Sequence, residues 1–252
     1  MTNTEYSSPK TLQPQQLLTF FDIDGTLTDG FAILSFAQYI NQRQYFKPDS
    51  WNKMQRDYVN YSESVQDHPA YSRFAQDLVN HYAQGLSDKK VQTVWEMSDS
   101  FYSDVLKGSI SDYHFKPFAP KLVQTMNKVG VTIAISGSPI EALLPLQRIL
   151  GITFLESTII GEHNGFYTGE VIENMALDTA KEQTVRRYLT PRIDVNKSFA
   201  FGDSEHDLPL FQVGNPFIVG RNKHLHQIAQ QHGWEIHADG TDIISAVEER
   251  IK

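Results

Sequence analysis

The sequence predicts an α/β protein whose mainly parallel β-sheet is covered by helices. Short apolar runs of strand length recur along the chain, and amphipathic helical patterns separate several of them. Strands that are buried on both faces are apolar throughout, and strands that alternate with helices form parallel sheets, so both observations indicate this class. A third observation is that a purely helical pattern interrupts the alternation between residues 31 and 116.

Apolar runs identify the predicted strands. They are LLTFFDI at 17–23, VTIAIS at 131–136, FLESTII at 154–160, SFAFG at 198–202 and PFIVG at 216–220. A further segment, HNGFYTGEVI, places Asn164-Gly165 between two short β-prone runs. Because Asn-Gly is a preferred pair in tight hairpin turns, this segment predicts an antiparallel hairpin.

Helical patterns lie between these strands and before them. Apolar residues recur at helical spacing from Pro120 to Val129 and from Ile140 to Leu150, which predicts two helices that cover the sheet. The interval from Phe31 to Lys116 contains no convincing strand and predicts consecutive amphipathic helices. We interpret the aromatic residues at helical spacing in this interval as core residues rather than as the lining of a ligand-binding site.

This pattern predicts two domains. We expect a helical domain at residues 30–116, inserted directly after the first strand and the aspartate-rich turn that follows it. The α/β domain would then be split in sequence, into residues 1–29 and 117–252.

The composition of the 252 residues excludes several classes of function. Hydrophobic residues make up 40% of the chain, enough for a full core. The net charge of -8 gives no positive field for nucleic acid or an anionic membrane. The polar start, MTNTEYSSPKTLQPQQ, lacks the layout of an export signal, and no apolar run is long enough to span a bilayer, so we expect a cytoplasmic protein. The absence of cysteine excludes disulfides, thiolate catalysis and cysteine-ligated metals.

Carboxylates follow the ends of two predicted strands. Asp22 and Asp24 end the first strand, in FFDIDGTLTDG, and Asp203 and Asp207 follow a later strand, in GDSEHD. Because the carboxyl ends of parallel strands converge on one crevice, we expect these carboxylates to meet there. Like charges at short distance raise one another's pKa unless a cation lies among them, and hard oxygen ligands indicate Mg²⁺.

The same crevice is predicted to contain hydrogen-bond donors and a cation for a phosphate group. The SGS turn that ends the second strand offers the hydroxyl of Ser136 and the backbone around Gly137, whereas we interpret Ser138 as structural. Lys181 lies near the start of a helix, in LDTAKEQTVRRYL, and its flexible side chain can bring a point charge to the crevice.

These segments resemble the motifs of the haloacid dehalogenase superfamily of phosphohydrolases. DIDGT has the form of the first motif, ISGS of the second, Lys181 of the third and GDSEHD of the fourth, in the family's order. The helical insertion looks like the superfamily's type-one cap. NGFYTGE and KHLHQIAQQHGWEI look like subfamily IB, the phosphoserine phosphatase-like group. The resemblance covers about residues 18–237 and implies a Rossmann-like, doubly wound sheet.

The resemblance also implies a reaction through an aspartyl-phosphate. Asp22 would attack phosphorus as the nucleophile, and Asp24 would protonate the leaving alcohol and then take a proton from the attacking water. The phosphate group would be bound by Thr26, Ser136, Gly137 and Lys181, with Thr26 also orienting the acid-base residue.

The family's metal site maps onto the same carboxylates. Mg²⁺ would be held by Asp22, by the backbone carbonyl of Asp24 and by Asp203. Asp207 would lie behind these ligands and support them.

Each of these residues also has a simpler interpretation. Asp22 and Asp24 could cap a helix that begins near Gly30, because aspartate is a favoured capping residue. Lys181 could be solvated, with Lys197 as a weaker substitute. For His206 we expect a surface or substrate-facing position rather than a zinc site, because no other histidine has ligand spacing with it.

The predicted cap should determine which substrate is accepted. Phosphoserine phosphatases carry a glutamate just after the first motif, and the same count here reaches Phe31. This difference disfavours phosphoserine and indicates a leaving group with less charge or a partly apolar character. Arg56 and Arg73 are further candidates, as contacts to an anionic group of the substrate.

Three functional hypotheses result from the sequence. The first is a Mg²⁺-dependent phosphatase that hydrolyses a small-molecule phosphate monoester. The second is a phosphotransferase or phosphomutase that passes the phosphoryl group from the same aspartate to an acceptor. The third is a catalytically inactive binding module, which the complete set of motif residues disfavours.

Overall fold

The computed structural model describes residues 16–63 and 68–252, and a seven-stranded sheet forms its centre. In chain order the strands are β1 (Leu18–Phe21), β2 (Thr28–Asp29), β3 (His114–Phe115), β4 (Val131–Pro139), β5 (Phe154–His163), β6 (Phe166–Glu173), β7 (Phe199–Gly202), β8 (Asn215–Val219) and β9 (Glu235–His237). The sheet order is β6-β5-β4-β1-β7-β8-β9, and β2 pairs with β3 in a separate ribbon. All neighbours in the sheet are parallel except β5 and β6, so the predicted fold class is confirmed.

Helices cover the sheet and fill the interval after β1. They are α1 (Ala32–Gln42), α2 (Pro48–Glu63), α3 (His68–Leu86), α4 (Val91–Leu106), α5 (Ala119–Val129), α6 (Ile140–Leu150), α7 (Asp178–Tyr188), α8 (Lys223–His232) and α9 (Ile243–Ile251). The two helices predicted before and after the second apolar run are confirmed as α5 and α6.

The predicted hairpin is also present. Asn164 and Gly165 have φ angles of 50° and 79° and join β5 to β6, which pair antiparallel. An Asn-Gly pair tolerates positive φ at both turn positions, which is what this tight connection requires.

The interval from residue 31 to 116 is helical, with one correction. It contains α1 to α4, but it also contains the strand β3, which the sequence did not predict. Two residues are too few for a strand period, and β3 exists because Phe115 and His114 pair with Thr28 and Asp29 of β2. The ribbon thereby joins the start and the end of the inserted segment. The division into two domains stays a prediction.

The two faces of the sheet bury different residues of each strand. In β1, Leu18 and Phe20 pack with the apolar residues of α7 and α8, whereas Phe21 belongs to the cluster on the opposite side. This alternation follows from the two-residue period of a strand. The cluster that contains Phe21 includes residues of α5 and α6 and continues into α1, α3 and α4. The inserted helices therefore share a core with one face of the sheet.

The order of the strands in the sheet determines where a crevice for a site can form. β1 lies between β4 and β7, and the chain proceeds outward from β4 on one side and from β7 on the other. Such a reversal leaves a crevice beyond the carboxyl ends of the central strands. The predicted functional segments lie at the ends of β1, β4 and β7, except that of Lys181, which lies on α7.

None of the helices in the described ranges is long and apolar enough to cross a membrane. The predicted cytoplasmic location stays a prediction. The interpretation of the first residues as lacking an export signal concerns residues 1–15, which lie outside the described ranges.

A buried polar cluster lies where the inserted helices meet the sheet domain. Glu141, in the first turn of α6, is 2% exposed and lies beside the buried hydroxyls of Tyr82 and Tyr167. The backbone of the same turn accepts hydrogen bonds from α4: Ser98 donates to the carbonyl of Glu141, and Tyr102 donates to that of Ala142 at 2.6 Å. Burial raises the pKa of Glu141 to about 7.

We predict that Glu141→Gln stabilises the protein at alkaline pH. Between the ordinary value of 4.5 and about 7, folded Glu141 holds a proton that the unfolded chain has released, so stability falls as the pH rises through this window. The neutral variant should therefore be more stable than the wild type by up to roughly 3 kcal/mol at pH 8, with a much smaller difference at pH 5. Urea unfolding at both pH values measures this. Glu170→Gln, at an exposed position of β6, is the control. An equal difference at both pH values would contradict the prediction.

Candidate active site

The loop after β1 brings the first two aspartates to the crevice. The backbone N–H of Asp22 donates to the carbonyl of Phe201 at 2.9 Å, so Asp22 continues the pairing of β1 with β7. Gly25 then turns the chain with a φ of 91°, and a Cβ atom there would lie 2.3 Å from Oδ2 of Asp203. Both the backbone conformation and the close approach of the carboxylate require glycine at this position.

Asp24 is held by two groups from different parts of the chain. One carboxylate oxygen accepts from the backbone N–H of Ala32 at 2.9 Å, and the other accepts from the hydroxyl of Ser138 at 2.6 Å. Ser138 in turn accepts from the backbone N–H of Ile33 at 3.3 Å. Asp24 therefore does bind the start of a helix, as the simpler interpretation proposed, and it does so while it lines the cavity.

Lys181 connects carboxylates that follow two different strands. Its Nζ lies 3.0 Å from Asp22 and 2.8 Å from Asp207, and the lysine is only 6% exposed. The helix α7 carries it from the face of the sheet opposite to the inserted helices. Lys181 is therefore a buried ion-pair partner in this site rather than a solvated lysine.

Asp207 is fully buried and bound on both of its oxygens. One oxygen accepts from Lys181, and the other accepts from the backbone N–H groups of Asp203 and Ser204, at 3.0 Å each, and from the Ser204 hydroxyl at 3.1 Å. These bonds shape the turn after β7 and fix the position of Asp203. Asp207 thus supports Asp203 from behind.

Burial and mutual repulsion raise the pKa values of the carboxylates. Burial raises the pKa of Asp22 to about 7, with the charge of Asp207 acting in the same direction and Lys181 against it. Burial raises the pKa of Asp24 to about 6, although the hydrogen bonds from Ser138 and Ala32 lower it. For Asp203, burial and then the charges of Asp207 and Asp22 hold the pKa well above its usual value.

The pKa of Lys181 is raised as well, but by its carboxylate partners rather than by burial. Burial alone lowers the pKa of this lysine, but Asp207 and Asp22 outweigh burial and hold it well above its usual value. Lys181 therefore stays charged, and it contacts carboxylates that together carry more negative charge than it can neutralise.

The donor set fits a divalent cation. Oxygens of Asp22, Asp203 and Asp207 lie within 4.8 Å of one another. Asp207 already accepts hydrogen bonds on both oxygens, so Asp22 and Asp203 are the better ligands. Mg²⁺ binds through one or two carboxylates and keeps further positions for water or phosphate, which matches two carboxylates at the edge of a cavity.

A cavity of about 320 Å³ lies above these carboxylates, between the ends of the central strands and the inserted helices. The sequence-predicted residues that line it are Asp22, Asp24, Phe31, Ser136, Gly137, Lys181 and Asp203. Ser136 is buried, and its hydroxyl accepts from the backbone N–H of Ser138 at 3.1 Å. The structure thus brings together residues that are up to 181 positions apart in a single cavity.

Other predicted residues lie elsewhere. Thr26 was expected to bind phosphate, but it is fully buried outside the cavity lining, and its hydroxyl donates to Asp203 at 3.3 Å. Arg56 and Arg73 are exposed on α2 and α3 and do not line the cavity. Both arginines lie on the solvent side of their helices. The structure therefore does not support a contact of either arginine with a bound substrate.

Two cavity residues escaped the sequence interpretation, Tyr71 and Arg221, whereas His206 is 6% exposed and lines the cavity, so it is substrate-facing rather than on the surface. Tyr71 of α3 lies with its ring centroid 4.1 Å from that of His206, so a ring of the inserted helices contacts the turn after β7. Burial raises the pKa of Tyr71, so its hydroxyl remains a donor. Arg221, which follows β8, also lines the cavity. The aromatic stripe of α3 indicated Tyr71 only as core, and nothing in the local sequence indicated Arg221.

Comparison with known proteins gives consistent matches over most of the chain. The sequence profile of the haloacid dehalogenase-like hydrolases matches residues 19–212. The phosphoserine phosphatase SerB1 of Mycobacterium tuberculosis is 22% identical over 227 residues, which cover 86% of this chain and 69% of that protein. A probable phosphatase of the same species is 23% identical over 226 residues, covering 86% and 73%.

A solved structure matches as well. A phospho-aspartyl intermediate analogue of phosphoserine phosphatase superposes with a TM-score of 0.63 at 15% identity, over 93% of this chain and 99% of that chain. At this low identity the match shows a shared fold.

We predict that Lys181→Met destabilises the protein by about 3 kcal/mol at pH 7.5, because it leaves the buried carboxylates of Asp22 and Asp207 without their cation. Denaturant unfolding of both proteins in metal-free buffer measures the difference. Lys197→Met is the matched control, since the side chain of Lys197 is 76% exposed and should contribute less than about 0.5 kcal/mol. Equal effects of the two substitutions would show that the buried ion pairs contribute no more than a surface pair.

Proposed function

Because this chain belongs to the haloacid dehalogenase-like hydrolases, we propose that it is a Mg²⁺-dependent phosphatase that hydrolyses a small-molecule phosphate monoester through phosphorylated Asp22. One observation carries the proposal. The carboxylate of Asp22 faces a cavity while it is bonded to Lys181 and lies beside Asp203. This arrangement supports Asp22 as the nucleophile and Asp203 as a metal ligand, with the ammonium of Lys181 next to Asp22.

Substrate binding uses the polar floor of the cavity. The phosphate group would lie over Asp22, with the ammonium of Lys181 and the hydroxyl of Ser136 as donors to its oxygens. In phosphoryl transfer the charge is spread over the equatorial oxygens, so a fixed cation and fixed donors stabilise the transition state. Lys181 is suited to this because its two carboxylate contacts hold its position.

The first chemical step forms a bond between Asp22 and phosphorus. An oxygen of the ionised carboxylate attacks in line, the bond from phosphorus to the ester oxygen breaks, and the alcohol leaves with a proton from Asp24. A pKa of about 6 leaves Asp24 with a useful protonated fraction near neutral pH. In the second step a water molecule transfers a proton to Asp24 and attacks phosphorus, which releases phosphate and restores Asp22.

The metal would be bound by Asp22 and Asp203, with the backbone carbonyl of Asp24 as the further ligand that the family resemblance implies. When bound, Mg²⁺ supplies the positive charge that favours ionised Asp22 and offsets the charge of the phosphate group. Thr26 donates to the carboxylate of Asp203 and Asp207 accepts from its backbone N–H, so both residues hold Asp203 in place.

The known relatives support the same chemistry. Two curated relatives carry the names phosphoserine phosphatase and probable phosphatase, and the matched structure is described as an analogue of a phospho-aspartyl intermediate. These descriptions belong to those proteins. For this chain they support a phosphorylated Asp22, because Asp22 is the cavity carboxylate that both contacts Lys181 and lies next to Asp203.

We predict that Asp22→Asn lowers the release of phosphate from p-nitrophenyl phosphate by about 10⁴-fold or more, because the amide cannot form the phosphorylated intermediate. Free phosphate is measured in Mg²⁺, and EDTA should abolish the activity of the wild type. Asp99→Asn, at an exposed position of α4, is the matched control and should retain full activity. Undiminished release by Asp22→Asn would contradict the nucleophile assignment. Transfer to an added alcohol without release would instead identify a phosphotransferase.

We predict a different result for Asp24→Asn. The variant should turn over about 10²- to 10⁴-fold more slowly with little change in KM, because it loses proton transfer but keeps the phosphate-binding groups. The loss should be larger for alkyl esters than for p-nitrophenyl phosphate, whose leaving group needs no proton. Steady-state kinetics with both kinds of ester tests this, and a uniform loss would contradict the role of Asp24 as the acid.

A further inference from the structure

The part of the cavity that the inserted helices line is mainly apolar and aromatic. We name it the aromatic wall and define it by its cavity-lining side chains: Phe31, Ile33, Tyr61, Tyr71, Phe74 and Leu78, with Ala75 and Val79 beside them. We infer that the protein selects phosphate monoesters whose alcohol is uncharged and apolar, with a ring as the best-fitting group, over phosphoserine. This inference rests on the proposed phosphatase function.

The rings of the aromatic wall support one another. Tyr61 and Phe74 are stacked, with centroids 4.5 Å apart and an interplanar angle of 6°. Phe31 meets Phe74 edge to face at 6.2 Å and 74°. Such contacts fix ring positions, so the wall is a preformed surface that a flat apolar group can contact without reorganising it.

The start of α1 places this wall next to the leaving group. The backbone N–H of Ala32 donates to Asp24, and that of Ile33 donates to Ser138, which itself donates to Asp24. Phe31 and Ile33 flank these amides and line the cavity. If Asp24 protonates the leaving oxygen, we expect the adjoining part of the alcohol to lie near Phe31 and Ile33. The first groups that the alcohol meets are therefore apolar.

Charge is segregated within the cavity. Among its described lining residues, every ionised side chain comes from outside the inserted helices: Asp22, Asp24, Lys181, Asp203, Glu205 and Arg221. Glu205 is paired with His224 at 2.8 Å. The described lining residues of the inserted helices offer no ionised partner to the ammonium and carboxylate of phosphoserine, and burying such charges against this wall is costly. An uncharged alcohol has no such cost and gains from burial against the wall.

The size of the cavity limits the alcohol. A volume of about 320 Å³ is at the low end of the range for small-molecule sites and must also hold the phosphate group. An alcohol with one ring on a short linker fits this volume better than an alcohol with fused rings or an extended chain. Benzyl phosphate is such an ester.

The decisive comparison is between benzyl phosphate and O-phosphoserine. Both lose a primary alkoxide, so the difference in kcat/KM reports recognition of the alcohol more than its intrinsic reactivity. We expect kcat/KM to favour benzyl phosphate by about 100-fold or more. Equal values, or a preference for phosphoserine, would overturn the inference.

Phe31→Glu tests whether the aromatic wall causes the preference for benzyl phosphate over phosphoserine. The variant should lower kcat/KM for benzyl phosphate about 10-fold or more and raise that for phosphoserine, because a carboxylate beside the leaving group can pair with the ammonium. Val59→Glu introduces the same charge at a residue of α2 that is 47% exposed and outside the cavity lining, and it should leave the ratio unchanged. Should Phe31→Glu fail to fold, the wild-type ratio decides the inference, and Phe31→Leu should keep the preference for benzyl phosphate.

The outcomes separate this inference from the proposed function. Release of phosphate from p-nitrophenyl phosphate without a preference for benzyl phosphate overturns the inference alone. Release from none of the three esters in Mg²⁺ overturns both.

Discussion

The contact of one buried ammonium with two carboxylates is the constraint around which this site is built. Lys181 reaches Asp22 at the end of β1 and Asp207 after β7, and both contacts are almost completely shielded from water. Isolated buried charges are unfavourable, so each of the three groups depends on the others. Because Asp207 also binds the backbone of the turn that carries Asp203, the lysine connects Asp22, the proposed nucleophile, to Asp203, the proposed metal ligand. Any bound cation or phosphate must fit into this arrangement.

The inserted helices contribute to the chemistry as well as to the cavity wall. The first amides of α1 bind Asp24 and Ser138, so the position of Asp24, the proposed acid, depends on the position of that helix. The same turn presents Phe31 to the cavity. The residue that would deliver the proton and the surface that would receive the alcohol are therefore built on one short segment, while the ribbon of β2 and β3 joins the two ends of the insertion.

Much of this site could be predicted because the residues at the ends of parallel strands lie at one known edge of the sheet. Asp22 and Asp203 follow apolar runs, and in a parallel sheet such residues converge whatever the details of packing. The direction of an individual side chain carries no such information. Thr26 points to Asp203 behind the cavity, Arg56 lies on the solvent side of its helix, and Ser138 contacts Asp24 although the sequence indicated only a structural role. Each of these depends on rotamers and on partners that are distant in the chain.

The sequence by itself determined the fold class, the largely helical nature of the insertion and the aspartates, Ser136 and Lys181 that line one cavity. These follow from periodicity, from hairpin chemistry and from motif spacing, which are local properties of the chain. Only the tertiary structure decided that Tyr71 reaches His206, that Asp24 is bound by the start of α1, and that Glu141 is buried between the inserted helices and the sheet. These contacts join segments whose relative position is set by the packing of helices on the sheet, and no local pattern in the chain encodes that position.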